Sequence, residues 1–263
     1  MEGETAGGHH KRPVKLEGRT ALVTGGSRGI GRAACLAFAR EGCDVVVNFA
    51  READRADAVV AEIESLGRRA LAAQGDVASE DEVDSVVAAV AEFVGDRGLN
   101  ILFNNAGIYP RATIEDVSVD EWDRVIGVNV RGPFLCTRAA LPLLKAATPG
   151  RIINIGSVIS ALGIPGAIYY SASKGALFGF THSLSRELAA FGINVNCLVP
   201  SMVETETTRR DYADLTDVVV AGQSVSRYQQ PGDLQGALVF LASDDSEFMT
   251  GQTLVVDGGR LLL

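Results

Sequence analysis

The residues best suited to chemistry are Tyr170 and Lys174, which stand four positions apart in the run Tyr-Ser-Ala-Ser-Lys. On a helix, side chains at positions i and i+4 share a face, so the phenol and the amine can reach one small molecule. A phenol has a reference pKa of about 10, but a neighbouring ammonium favours the phenolate and lowers that pKa. The pair is therefore a candidate proton donor and acceptor, provided that a cofactor binds beside it. Ser157 lies upstream in Asn-Ile-Gly-Ser-Val and, taken alone, is equally a candidate turn residue.

A glycine-rich turn follows the first apolar run of the chain, in the sequence Thr24-Gly25-Gly26-Ser27-Arg28-Gly29-Ile30-Gly31. Glycines permit a tight turn here and let backbone N–H groups approach a pyrophosphate. The spacing Gly-x-x-x-Gly-x-Gly differs from the Gly-x-Gly-x-x-Gly of other dinucleotide folds. The strand–turn–helix context favours dinucleotide binding, with a simple tight connection as the alternative.

The end of the second strand bears on the choice of dinucleotide. Sites for NAD often place an acid there to bind the ribose 2′-hydroxyl, whereas this chain reads Val-Asn-Phe-Ala-Arg at 47–51. Asp44 comes too early in the strand to play that part. Arg28 in the glycine turn and Arg51 after the strand have guanidinium groups, which suit a 2′-phosphate. We therefore expect NADP(H) to be preferred, with NAD(H) as the alternative; the competing interpretation is that both arginines are merely solvated.

Composition restricts the classes of partner. The chain has 263 residues, of which 47% are hydrophobic and 22% charged, as expected for one large globular α/β domain. Its formal net charge of -9 argues against nucleic acid and anionic membranes as partners, because both attract basic proteins. None of the four cysteines forms a CxxC pair, and the apolar or helical contexts of Cys35, Cys136 and Cys197 predict small core residues, with neither a disulfide framework nor a metal site. This cysteine usage fits a reducing cytoplasm.

Strand and helix patterns alternate from residue 19 onward. Apolar runs predict seven strands, at residues 20–23, 45–48, 70–74, 101–103, 151–155, 194–199 and 253–256. Helical periodicity predicts helices at residues 30–41, 53–66, 80–93, 119–144 with an interruption at Gly132–Pro133, 169–191 and 234–242. The pattern indicates an α/β protein with a single-domain, Rossmann-type, doubly wound parallel sheet of seven strands and helices on both faces.

The domain is expected to span residues 16–263, after a disordered tail at residues 1–15 that is rich in glycine and charge. No apolar segment in that tail resembles a signal peptide. Residues 152–173 carry no formal charge and are long enough to suggest a membrane span. Asn154, Pro165 and several glycines argue instead for a buried strand, a loop and a helix start.

These motifs together resemble the short-chain dehydrogenase/reductase family, over about residues 16 to 260. The glycine turn matches the family's TGxxxGxG, and Asn-Asn-Ala-Gly at 104–107 matches its NNAG segment. Within the family, Gly-Arg-Ile-Ile-Asn-Ile-Gly-Ser and the C-terminal Val-Asp-Gly-Gly are most similar to 3-oxoacyl-(acyl-carrier-protein) reductases. The residues that match the family's catalytic tetrad are Asn129, Ser157, Tyr170 and Lys174.

The resemblance implies a role for each of these side chains. Tyr170 would protonate a carbonyl oxygen, while Lys174 would lower the Tyr170 pKa and bind the nicotinamide ribose. Ser157 would polarise the carbonyl group. Asn129 would anchor a water that relays protons with Lys174; taken alone, it is equally a candidate helix cap. The cofactor-binding residues are expected to be Gly25, Ser27, Arg28, Gly29, Ile30, Gly31, Asn48, Phe49, Ala50, Arg51, Asp76, Val77, Asn105, Ala106, Gly107, Tyr170, Lys174, Pro200, Val203 and Thr205.

The expected function is NADPH-dependent carbonyl reduction, by hydride transfer between nicotinamide and a ketone or secondary alcohol. A 3-oxoacyl thioester is the first candidate substrate. The alternatives are a small ketone, polyol or secondary metabolite, and a non-catalytic nucleotide-binding protein. Residues 201–228 form a candidate lid, and Ser201 stands where the family usually has glycine. The candidate apolar wall of the substrate pocket comprises Leu162, Ile164, Ile168 and Met202.

Two macromolecular partners are also expected. The resemblance implies a homotetramer that assembles through the long helices, including the apolar stretch at residues 176–188. An acyl carrier protein is acidic, so binding one would require a basic patch on this acidic chain. The candidates for that patch are Lys145, Arg151 and Arg186.

Overall fold

The structure is a computed structural model that describes residues 14–262. The tail expected at residues 1–15 lies outside the described residues, except for Val14 and Lys15. The strands, in chain order, are β1 (Thr20–Val23), β2 (Asp44–Phe49), β3 (Ala70–Gln74), β4 (Ile101–Asn104), β5 (Gly150–Ile155), β6 (Ile193–Pro200) and β7 (Thr253–Val256). The helices are α1 (Gly29–Arg40), α2 (Ala53–Ser65), α3 (Glu80–Val94), α4 (Val119–Ile126), α5 (Gly132–Ala146), α6 (Ile159–Leu162), α7 (Ile168–Glu187), α8 (Glu206–Asp211), α9 (Thr216–Ala221) and α10 (Gln235–Ala242).

The seven strands form one parallel sheet in the order β3-β2-β1-β4-β5-β6-β7. Ala21 in β1 pairs with Val45 on one side and with Ile101 on the other. The chain therefore builds outward from β1 to β3, then returns and builds outward in the opposite direction from β4. The reversal opens a crevice at the carboxyl ends of β1 and β4, where ligands bind in folds of this type.

Helices cover both faces of the sheet, as predicted. Successive side chains of a strand point to opposite faces, and β2 shows the result. Val45 and Val47 pack in the same cluster as Phe38 of α1, whereas Val46 packs with Val86 of α3. All three valines are fully buried, which explains why the strand is continuously apolar rather than alternating.

The predicted strands are confirmed with ends that move by no more than one residue. The interruption predicted at Gly132–Pro133 instead lies just before that pair, as a π-helical turn at Gly127–Arg131. Gly132 and Pro133 begin α5, where proline is tolerated because the first helical N–H groups have no partner within the helix. A Cβ on Gly132 would lie 2.9 Å from the Cγ2 of Val77, so glycine allows α5 to pack closely there.

Three short helices were not predicted. These are α6, α8 and α9, each of four to six residues. Such helices are too short for an apolar period to show in the sequence. They lie in the expected loop and lid segments, so that the candidate lid is partly helical. Among the described residues, no helix is long and apolar enough to cross a membrane.

Cys35, Cys136 and Cys197 are buried and unbonded, as predicted for small core residues, and Cys43 is buried and unbonded as well. Burial raises the pKa of each of these thiols, since the interior disfavours the thiolate.

The prediction of a basic patch from Lys145, Arg151 and Arg186 was wrong for Arg151. The Arg151 side chain is only 2% exposed, and its Nη2 lies 3.4 Å from Asp244 Oδ1. Its Nε donates to the Ser243 carbonyl oxygen, because a buried guanidinium needs acceptors inside the protein. Arg151 therefore joins β5 to the segment after α10 and offers no charge to a partner.

Buried amides join the sheet to the helices that flank the crevice. Asn104 Nδ2 donates to Thr137 Oγ1 and to Asn154 Oδ1, at 3.2 and 2.9 Å. Asn154 Nδ2 in turn donates to Thr181 Oγ1 at 3.0 Å. This ladder crosses β4 and β5 and fixes α7, the helix that carries Tyr170, against the end of the sheet.

We predict that Asn154→Ala lowers the free energy of unfolding by roughly 1–3 kcal/mol, because the Asn104 amide loses one of its acceptors and the Thr181 hydroxyl oxygen loses its donor. Urea denaturation followed by circular dichroism, at one fixed protein concentration, measures the change. Ser65→Ala is the control, since Ser65 is exposed on α2 and only bonds its own helix. Equal stability of the two variants would show that the ladder carries no net stabilisation.

Candidate active site

A cleft of about 1390 Å³ runs along the carboxyl-terminal edge of the sheet. It is larger than the pockets of roughly 300–1,000 Å³ that hold drug-sized ligands, and suits an elongated molecule. Every residue expected to bind a dinucleotide lines this cleft, from Arg28 and Arg51 at one end to Tyr170 at the other. Ser157 and Lys174 also line it. Asn129 does not line the cleft and lies behind it, fully buried.

The glycine turn is held in shape by the strand beside it. Asn105, directly after β4, donates from Nδ2 to the carbonyl oxygens of Thr24 and Gly25, at 2.8 and 3.2 Å. Gly25 has a φ of 63°, a conformation that favours glycine. A Cβ on Gly31 would fall 2.2 Å from the Gly25 carbonyl oxygen, so any other residue would force the turn open.

The turn leaves the beginning of α1 free for an anion. No side chain caps the helix at Arg28, and its first turn contains no acid. The first N–H groups of a helix have no partner within the helix and carry a partial positive charge. A diphosphate group therefore suits the chemistry of the space above the turn.

The outer end of the cleft holds the arginines expected to bind a 2′-phosphate. The side chain of Arg51 forms no hydrogen bond or ion pair with any described residue, although it lines the cleft. Arg28 makes only a loose ion pair, with its Nη1 3.5 Å from Glu52 Oε1. A third arginine, Arg55, lines the same end and was missed, since nothing in the sequence separates it from the other charges of α2.

Asn48 and Asp76 shape the cleft floor through bonds to the backbone. Asn48 is 2% exposed, and its Nδ2 donates to the carbonyl oxygens of Ala73 and Gly75. Asp76 accepts from the backbone N–H of Ala78 at 2.9 Å through Oδ1. Both residues line the cleft as predicted, but the Asn48 amide already serves to join β2 to the end of β3.

The inner end of the cleft brings together Ser157, Tyr170 and Lys174. Ser157 follows β5, and the other two lie one turn apart on α7, as the i and i+4 spacing predicted. Lys174 is 3% exposed, and its Nζ donates to the Ile155 carbonyl oxygen at 2.8 Å. The same nitrogen lies 5.8 Å from the centre of the Tyr170 ring.

Burial is the main cause of the pKa shifts of Tyr170 and Lys174. It raises the pKa of Tyr170 above its ordinary value, and a hydrogen bond with Ser157 only partly opposes the rise. It lowers the pKa of Lys174 from 10.5 to about 8. The ammonium of Lys174 bonds Ile155 rather than the phenol, so the lowering of the Tyr170 pKa expected from Lys174 does not offset the effect of burial. Tyr170 holds its proton at neutral pH.

Asn129 lies in the π-helical turn before α5, and its amide is occupied. Its Oδ1 accepts from the N–H of Ile108, and its Nδ2 donates to the Ile108 carbonyl oxygen and to Ser173 Oγ. A Cβ on Gly107 would lie 3.3 Å from Asn129 Oδ1 and 3.6 Å from Lys174 Nζ. Asn129 therefore fixes the loop after β4 next to the lysine, and contacts the cleft only through that loop.

The chain is similar to known proteins over most of its length. The sequence profile described as "short chain dehydrogenase" matches residues 19–216. The chain belongs to this family. The 3-oxoacyl-[acyl-carrier-protein] reductase of Synechocystis sp. is 41% identical over 248 residues, which are 94% of this chain and 98% of the relative. The corresponding Staphylococcus aureus reductase is 39% identical over 93% of this chain and 98% of its own length.

Solved structures of the short chain dehydrogenase family share this fold closely. A short chain dehydrogenase from Burkholderia cenocepacia, in complex with NADP, has a TM-score of 0.89 and 38% identity over 94% of this chain and 99% of its own. A gluconate 5-dehydrogenase from the same organism, in complex with NADP and tartrate, has a TM-score of 0.87 and 36% identity, over 94% and 97% of the two chains.

An aromatic wall packs against Tyr170, the residue that matches the tyrosine of the family's catalytic tetrad. The Tyr109 ring packs against Tyr170, with ring centres 4.3 Å apart, and stacks on Tyr212 at 4.9 Å. The Tyr212 hydroxyl donates to the Tyr109 carbonyl oxygen. Tyr212 follows α8, so this bond fastens the candidate lid to the loop after β4. Nothing in the sequence indicates that Tyr212 would meet Tyr109, since the two residues lie far apart in the chain.

The apolar wall expected from four residues is largely wrong. Met202 lines the cleft, but Leu162, Ile164 and Ile168 do not. Leu162 and Ile168 are more than one-third exposed.

Ser201, which departs from the family's usual glycine, fastens the other end of the lid. It is 6% exposed, and its hydroxyl donates to Gln223 Oε1 at 3.1 Å. Gln223 Nε2 donates to the carbonyl oxygens of Val225 and Arg227. The extra hydroxyl therefore joins the end of β6 to the return segment of the lid.

We predict that the Lys174 amine loses its proton with a midpoint of about 8, and that it is charged below this pH and neutral above it. The sequence has only four lysines, Lys11, Lys15, Lys145 and Lys174. Carbon NMR of lysine-labelled protein can therefore follow the Cε resonance through a pH titration. Lys174→Arg should remove the shifted signal, and Lys145→Arg should leave it. A midpoint above about 10 would contradict the effect of burial.

Proposed function

We propose that this protein is an NADPH-dependent carbonyl reductase. One observation carries the proposal: a single cleft joins the guanidinium of Arg51, which has no partner among residues 14–262, to the group formed by Ser157, Tyr170 and Lys174. The Arg51 guanidinium suits a 2′-phosphate, and the group of three side chains suits proton transfer to a carbonyl oxygen. The NADP and NADPH complexes of solved family members support this choice of cofactor.

The residues of the cleft suit each part of NADPH. The N–H groups at the start of α1 would hold the diphosphate, Arg28 and Arg51 the 2′-phosphate, and Asp76 the adenine end. Lys174 would hold the nicotinamide ribose. When bound, the nicotinamide supplies the hydride that reduces the carbonyl carbon.

The chain's own groups then supply and stabilise the proton. Tyr170 enters the reaction protonated, because burial raises its pKa, and donates its proton from Oη to the carbonyl oxygen. Ser157 Oγ accepts from the Ile159 N–H, which leaves its own proton to donate to the same oxygen. The ammonium of Lys174 stabilises the phenolate left on Tyr170. Asn129 holds the loop beside Lys174 and acts by positioning it.

A 3-oxoacyl thioester is the proposed substrate, supported by relatives at 39–41% identity that carry that activity in their names. A small hydroxy acid or its ketone is the second candidate, supported by the gluconate 5-dehydrogenase structure with tartrate. We place the whole activity in one domain, residues 16–263, and in the cytoplasm, for which the cysteine usage is the support.

We predict rapid oxidation of NADPH, and slow oxidation of NADH, with acetoacetyl-CoA. Absorbance at about 340 nm (the reduced nicotinamide band) follows the reaction. Tyr170→Phe is the control, and should lower kcat by roughly 10²–10⁴ while leaving the NADPH Kd unchanged. If only 5-ketogluconate were reduced, the proposed thioester substrate would be wrong but the proposed mechanism would stand. Full activity of Tyr170→Phe would show that another group is the acid.

We also propose that the chain forms a homotetramer through its long helices. On α7, Ala172, Ala176 and Gly179 are exposed, and a Cβ on Gly179 would meet no atom within 4 Å. This smooth face would let a second helix approach closely. On α5, Phe134 is 44% exposed.

Light scattering tests this assembly. We expect a mass near four times the 27.7 kDa of one chain. Ala176→Arg, which adds a long charged side chain to the face on α7, should reduce that mass, whereas Ser65→Arg on exposed α2 should not. A wild-type mass of one chain would overturn the proposal.

A further inference from the structure

One ion pair crosses the mouth of the cleft. Arg55 on α2 donates from Nη1 and Nη2 to the two carboxylate oxygens of Glu206, at 2.5 and 3.1 Å. Glu206 is the first residue of α8, so this bidentate pair joins the rim of the sheet domain to the candidate lid. The two parallel bonds fix the orientation of both side chains.

The three arginines at this end of the cleft differ in their hydrogen-bond and ion-pair partners. Arg51 has no partner among the described residues, and Arg28 has a single oxygen of Glu52 at 3.5 Å. Arg55 is committed to Glu206 through two bonds, and also lies 3.6 Å from Glu52. The first two guanidinium groups are therefore available to a ligand anion, whereas Arg55 already commits two of its five N–H donors to Glu206.

The lid has other attachments: Asp214 lies 3.8 Å from Arg111, and just before α8 the Glu204 N–H donates to the Gln229 carbonyl oxygen while the Glu204 carboxylate accepts from Gln230 Nε2. Tyr212 bonds the Tyr109 carbonyl oxygen beside Tyr170, and Ser201 bonds Gln223. Both contacts lie away from the arginines. Among the hydrogen bonds of the described residues, only the Arg55–Glu206 pair links α8 to α2. The start of α8 would thus lose its attachment to α2 if that pair were broken.

We propose that Arg55 and Glu206 form a latch that holds α8 across the adenosine end of the cleft and slows release of the bound nucleotide. Both act as positioning residues, and neither is a ligand of the nucleotide. The role in release rests on the proposed binding of NADP(H). The holding of α8 does not, and can be measured on the protein alone.

The first experiment needs no cofactor. Arg209 and Arg210 are two-thirds exposed on α8, where trypsin cleaves after arginine. In Glu206→Gln, α8 should be cleaved roughly twofold to fivefold faster than in wild type, as expected for loss of one exposed ion pair. Salt at about 0.5 M should remove most of the difference. Equal cleavage rates would overturn the latch, whatever the protein binds.

The matched control is Glu80→Gln. Glu80 is likewise the first residue of its helix, and forms a half-exposed ion pair with Arg138, but neither residue lines the cleft. Its removal should leave the cleavage of α8 unchanged. A faster cleavage in this variant would show that general loss of stability, and not the latch, exposes α8.

The second experiment separates the latch from a direct phosphate contact. Stopped-flow displacement measures the release of NADPH and of NADH. The latch requires both to leave roughly twofold to fivefold faster from Glu206→Gln and from Arg55→Gln, with little further gain in the double variant. If Arg55 bound the 2′-phosphate instead, Glu206→Gln would free it and slow NADPH release alone. Arg55→Gln would then speed NADPH release alone. Either selective result would overturn the proposal.

Discussion

The buried charge of Lys174 is the constraint on which the site depends. An ammonium that is 3% exposed needs an acceptor, and the end of β5 provides one in the Ile155 carbonyl oxygen. That bond sets the position of α7 relative to the sheet, and with it the position of Tyr170. The same burial that weakens the charge of Lys174 keeps the proton on Tyr170. One desolvated corner thus keeps Tyr170 protonated, as its proposed role of acid requires.

The cleft is built from parts of unequal rigidity. Its floor consists of strand ends and turns that are bonded through buried amides, such as those of Asn48 and Asn105. Its roof includes α8 and the segments beside it, which are attached through bonds such as those of Glu206 and Tyr212. Ligands must enter and leave through the less firmly attached part, so the bonds of the roof affect binding rates while those of the floor fix geometry.

The sequence predicts the sheet and the inner site because these rest on local patterns. The apolar runs define the seven strands, and the i and i+4 spacing places Tyr170 and Lys174 on one face. It predicts the roof poorly, since α8 lacks an apolar period. It also misleads about Arg151, whose charge suggested exposure. The contacts of Tyr212, Arg55 and Ser201 join residues far apart in the chain, and no short-range pattern encodes them.

The four buried thiols have a practical consequence for studying this molecule. Thiol reagents attack the thiolate, which burial disfavours at Cys35, Cys43, Cys136 and Cys197 alike. Two of these residues lie in α1 and α5, one in β6, and one just before β2, so that they sample both faces and the centre of the sheet. The cysteines are thus built-in reporters of local opening: a reagent that modifies one of them marks the region that has come apart.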